Sequence, residues 1–80
     1  MMTDIQEKIV RTARVCRVRG RTMTYAELAK KLGYDVDAKP EFAQYAHTWA
    51  YRCGLACSRS RRDSDATAVA AAFVPEKSSK

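Results

Sequence analysis

The chain has 80 residues, enough for one small domain with one modest core and no room for a second. A hydrophobic fraction of 46% excludes global disorder, and the longest uninterrupted apolar run, residues 68–74, is far too short to span a bilayer. Fifteen Lys and Arg against nine Asp and Glu give a formal charge of +6 and a pI near 9.6, a balance that points to nucleic acid or another acidic partner.

The first residues hold no secretory apolar segment, so a cytoplasmic protein is expected. Three cysteines, Cys16, Cys53 and Cys57, make an odd count with no repeated spacing, which argues against a disulfide framework and fits a reducing compartment. Cys53 and Cys57 with His47 lack a fourth ligand and a paired C-x-x-C knuckle, so neither a zinc site nor any cofactor is expected. Cys16 and Cys53 are expected as small buried hydrophobes.

In chain order, Thr3 or Asp4 caps a first helix whose core face is Ile5, Ile9, Ala13 and Cys16, and Gly20 ends it near Arg19. Arg11, Arg14, Arg17, Arg19 and Arg21 form a basic cluster along this helix and the loop after it. Residues 22–24 are β-prone and suit a short strand. Thr24 and Glu27 then form a capping box, Tyr25, Leu28, Ala29 and Leu32 share an apolar face, and Gly33 suits a left-handed closing position.

A polar connection leads to Pro40, well placed as the first residue of a third helix that runs to Cys53 and stops at Gly54. Phe42, Ala46, Trp49, Ala50 and Cys53 form its apolar side, with Trp49 as a core anchor. The opposite side carries Gln44, His47, Thr48, Tyr51 and Arg52, side chains able to address base edges or phosphates. Residues 55–74 fit a β-hairpin with an arginine-rich tip at Arg59, Arg61 and Arg62. They also fit a fourth helix at about 65–74, because alanine is the best helix former and Ser64 or Asp65 suits its cap. That helix would bury Ala66, Val69, Ala70 and Phe73.

Residues 22–33, Thr-Met-Thr-Tyr-Ala-Glu-Leu-Ala-Lys-Lys-Leu-Gly, resemble the first helix of the helix-turn-helix pair in small winged-helix proteins. The resemblance implies an α+β, mostly α, fold: a three-helix helix-turn-helix core with a C-terminal β-hairpin wing. An all-α chain with the fourth helix is the alternative. Residues 1–75 are expected to form the single domain and residues 76–80 a mobile tail. Gly20 to Ala29, followed by a helix and Ala56-Cys57-Ser58-Arg59, also bears a distant resemblance to the DNA-binding domain of alkylguanine-DNA alkyltransferases. Their Pro-Cys-His-Arg site is broken here by Ala56 and Ser58, so the histidine that helps generate the thiolate is missing. Shared architecture without the reaction is expected, and no residue is assigned a catalytic role.

The winged-helix resemblance implies that the third helix enters the major groove of double-stranded DNA through Gln44, His47, Thr48, Tyr51 and Arg52. Phosphates would be held by Arg19, Arg21, Lys31, Arg59, Arg61 and Arg62. The expectation is a non-enzymatic transcriptional regulator of phage or mobile-element type, with no membrane association. Asp35, Asp37 and Glu41 crowd the entrance to the third helix and would repel phosphates. They keep open a second reading, a small phage-type, anti-CRISPR-like inhibitor docking its arginines on a host defence complex such as a CRISPR effector. A module this small gains affinity as a homodimer, although no dimer helix stands out in the sequence.

Overall fold

The computed structural model describes residues 3–75, and the expected tail at 76–80 lies outside the described residues. The chain order is α1 (Asp4–Arg19), β1 (Met23–Thr24), α2 (Tyr25–Lys31), α3 (Glu41–Arg59), α4 (Asp63–Ala72) and β2 (Phe73–Val74). Four helices enclose one core, tied at one end by a two-stranded sheet in which β1 and β2 run parallel, Met23 opposite Phe73 and Thr24 opposite Val74.

The first two helices are set by local chemistry. Thr3 and Gln6 close a full capping box at the start of α1, at 3.1 and 3.2 Å. Gly20, at φ 65°, ends the helix. Its N–H donates to the Arg17 carbonyl at 3.2 Å, and the Arg21 N–H donates to the Cys16 carbonyl at 3.0 Å, the paired bonds of a Schellman motif. Thr24 and Glu27 repeat the capping box on α2, at 3.0 and 3.2 Å, and Gly33 sits at φ 99° just beyond its end. The strand expected at residues 22–24 is present as β1, whose partner is β2.

The third helix departs from expectation at its far end. It begins at Glu41, with Pro40 at the cap, and runs through Gly54 to Arg59. The buried stripe of Ala46, Ala50 and Cys53 continues one turn further to Cys57, which is completely buried. Gly54 faces α4, and a Cβ placed there would lie 4.0 Å from Val69 Cγ1. Packing of α4 along this side offsets the intrinsic cost of a helical glycine, about 1 kcal/mol relative to alanine.

The β-hairpin wing expected over residues 55–74 is therefore corrected. Its first strand is the last turns of α3, and its returning strand is α4 followed by the two residues of β2. Alanine propensity prevails because helical geometry lets Asp65, Ala68, Val69 and Ala72 share one inner face at i, i+3, i+4 and i+7. This face is rotated from the one expected for a fourth helix: Val69 and Phe73 are buried, but Ala66 is half-buried and Ala70 exposed. No side chain caps α4, whose cap residue is Arg62.

The core gathers Ile9, Val10, Ala13 and Cys16 of α1, Leu28 and Ala29 of α2, and the inner faces of α3 and α4. Cys16 and Cys53 are buried as expected. Trp49 packs at the core's edge in an aromatic cluster, with ring centroids 5.0 Å from Tyr34 and 6.2 Å from Tyr45. Among the described residues no helix is long and apolar enough to cross a membrane.

Candidate nucleic-acid interface

The basic residues concentrate around α1. Ile9, Ala13 and Cys16 turn inward, which leaves Arg11, Arg14, Val15, Val18 and Arg19 facing out. The Schellman turn at Gly20 then carries the chain back so that Arg21 and Thr22 border the same surface as Arg19. Together with Met23, Glu27 and Lys31 they wall a cleft of about 340 Å³ between α1 and the β1–α2 segment. Four cationic side chains, Arg11, Arg19, Arg21 and Lys31, line it against one carboxylate. That carboxylate, Glu27, is already committed to the Thr24 backbone N–H and hydroxyl, at 3.0 and 3.3 Å.

Arg11 also lines a second, smaller concavity of about 200 Å³ with Glu7, Val10, Arg14 and Arg62. Arg14 is held there by a bidentate pair with Asp65 in the first turn of α4, Nε to Oδ1 at 3.1 Å and Nη2 to Oδ2 at 2.9 Å. The Asp65 carboxylate is largely buried and the Arg14 side chain largely exposed. The hydrogen bond and the charge of Asp65 raise the Arg14 pKa above its usual value, so the guanidinium stays charged at any working pH. Because Arg11 belongs to both concavities, one basic surface runs along α1 from Arg62 and Arg14 to Arg19, Arg21 and Lys31.

The eleven residues expected to bind are all exposed, yet they do not form one site. Arg19, Arg21 and Lys31 meet in the α1 cleft, and Arg62 meets α1 in the smaller concavity. Arg59 and Arg61 lie at the turn between α3 and α4, where Arg61 adopts φ 61°. Gln44, His47, Thr48, Tyr51 and Arg52 lie along α3 and line neither concavity. The Cys53 thiol points toward α1, donating to the Gln6 carbonyl at 3.5 Å. At about 100° per residue, Gln44, Thr48, Tyr51 and Leu55 fall roughly 140–180° round the helix from Cys53. The Gln44, Thr48 and Tyr51 side of α3 therefore turns away from α1, whereas His47 and Arg52 lie about 100–120° round from Cys53.

Two further features weaken α3 as a groove-reading helix. His47 is packed edge-on against Tyr25, ring centroids 4.7 Å apart. Acidic side chains hold the α2–α3 connection: the Asp35 carboxylate accepts the Ala38 N–H at 3.1 Å, and Asp37 lies 3.9 Å from Lys30. Arg11 and Arg14, members of the first-helix arginine cluster but not among the eleven residues expected to bind, also line the α1 concavities. Their signal in the sequence was their place away from the Ile9–Ala13–Cys16 stripe, where both stay exposed although Arg14 reaches Asp65 of α4.

Cys57, the residue at the position of the alkyltransferase acceptor, is buried completely in α3. Burial, followed by the charge and hydrogen bond of Cys57, pushes the neighbouring Cys53 thiol up to about 12. The Cys53 thiol, held protonated in this way, is a poor nucleophile. Comparison with protein-family models, curated proteins and solved structures finds no match to the chain.

Proposed function

We propose that the chain is a non-enzymatic double-stranded-DNA-binding protein that grips phosphates along α1, in the manner of a small transcriptional regulator. The observation that carries the reading is the continuity of the basic surface through Arg11, which joins the cleft of Arg19, Arg21 and Lys31 to the notch of Arg14 and Arg62. Arginine dominates that surface, and its planar fork suits bidentate phosphate contacts. The helix-turn-helix part of the reading rests on α2, the connection over residues 32–40 and α3; the wing plays no part in it. A salt series on random duplex DNA tests the proposal. Affinity should fall steeply and linearly on a double-logarithmic plot, and undetectable duplex binding at low salt would refute it.

One observation favours a second reading, an inhibitor or adaptor directed at a host protein complex. Val15 and Val18 are 45% and 86% exposed within the basic surface, an apolar element that phosphates do not need. Loss of a specific protein partner on Val18→Glu, with no duplex binding by the wild type, would favour this reading over the first.

A further inference from the structure

The longest helix leaves one full face uncovered. Glu41, Tyr45, Thr48, Arg52, Leu55 and Arg59 are all exposed and follow one another at intervals of four, three, four, three and four residues. That spacing keeps all six on one side of the helix. Tyr45 and Leu55 are 47% and 42% exposed, two of the few large apolar side chains left in solvent. Glu41, Arg52 and Arg59 make no ion pair among the described residues.

This side is also symmetric about its midpoint near residue 50. If a second copy of α3 is laid against the first in antiparallel orientation, Glu41 faces Arg59, Tyr45 faces Leu55, and Thr48 faces Arg52, each pair occurring twice. Unlike charges meet at both ends, apolar side chains meet on either side of the axis, and the Thr48 hydroxyl can accept from the guanidinium opposite. A parallel pair would instead set Glu41 on Glu41 and Arg59 on Arg59. A two-fold interface requires this self-complementarity, in which each residue meets a partner that it meets again across the axis.

We infer that the chain forms a homodimer through antiparallel packing of α3, with Glu41–Arg59 pairs setting the register and Tyr45–Leu55 contacts forming its apolar part. The occupant of this face is a second copy rather than DNA or an unrelated protein. The two α1 surfaces then lie on the outside of the dimer, and the inference stands whether or not they bind DNA.

Sedimentation equilibrium without nucleic acid, from about 1 µM to about 1 mM protein, tests it on four variants. The wild type should pass from monomer to dimer across that range. Leu55→Glu, at a half-exposed position outside the core cluster that borders the α3–α4 groove, should raise the dissociation constant at least about tenfold. Glu41→Arg and Arg59→Glu should each weaken the dimer several-fold, and the double variant E41R/R59E should return to within about threefold of wild type. The double swap opposes the α3 macrodipole at both ends, so a monomer effect would make it the weakest of the set rather than restore it. Circular dichroism confirms that each variant keeps its helix content. A wild type that stays monomeric to the top of the range, an indifferent Leu55→Glu, or a double variant no better than its weaker parent would each overturn the inference.

Discussion

Replacing Gly54 by alanine separates the observed fold from the one in which the third helix stops at that glycine. In the structure Gly54 is an interior residue of α3, five residues before its end, and carries no positive φ. A Cβ there would meet Val69 Cγ1 at 4.0 Å, ordinary van der Waals contact, so the added methyl needs no rearrangement. Alanine is favoured over glycine in a helix interior by about 0.8–1.0 kcal/mol. Gly54→Ala should therefore stabilise the protein by about 1 kcal/mol, which for a domain this size raises the melting midpoint by about 4–8 °C. Thermal unfolding followed by circular dichroism at 222 nm, with urea unfolding as a second measure, reads the change. Gly33→Ala is the control: at φ 99° it must force a side chain into a left-handed conformation and should destabilise by about 1–2 kcal/mol. If Gly54→Ala instead lowers stability as Gly33→Ala does, α3 ends at Gly54 and the packing of α4 described above is wrong.

Two further outcomes follow from single interactions. Thr24→Ala removes the oxygen that accepts the Glu27 N–H and the hydroxyl that donates to the Glu27 carboxylate, leaving that carboxylate only the backbone N–H of residue 24, at a cost of about 1 kcal/mol in urea unfolding. Cys53 is held protonated by burial, with a folded pKa of about 12 that lies above its unfolded value. Its contribution to stability is thus complete below the unfolded pKa and disappears as pH rises from about 9 toward 12. Unfolding midpoints should fall over that window, and Cys53→Ala should fall less. At pH 8 the three buried thiols should react with a thiol reagent only as fast as the protein opens, and rapid labelling would contradict their burial.

The parts of the fold legible in sequence are those fixed by neighbours in the chain. Thr3 with Gly20 bounds α1, and Thr24, Glu27 and Gly33 bound α2, because caps and left-handed turns depend on residues within one turn of each other. The end of α3 was not legible, since Gly54 reads as a stop until α4 is seen to cover it. Cys57, four residues beyond Cys53, was the local sign that the stripe continues. The hairpin came from the architecture that the winged-helix resemblance implied, whereas residues 66–72 carry five alanines whose helical preference decides the outcome. The exposure of the eleven expected residues was legible one by one, but their grouping into surfaces was not. Sorting Arg19 and Arg21 from Gln44 and Arg52 depends on which sides of α1 and α3 meet in the core, and only the packing supplies that.

We propose α1, rather than α3, as the nucleic-acid surface. The salt dependence of duplex binding, measured by fluorescence anisotropy for the wild type and two triple-alanine variants, tests it most directly. Replacing Arg11, Arg19 and Arg21 should weaken binding and make the slope of log K against log salt shallower by about 3, since each lost phosphate contact removes about 0.9. Replacing Gln44, Thr48 and Arg52 should leave that slope within about 0.5 of the wild type. The reverse pattern, an unchanged slope without the α1 arginines and a collapse without the α3 residues, would place binding on α3 instead.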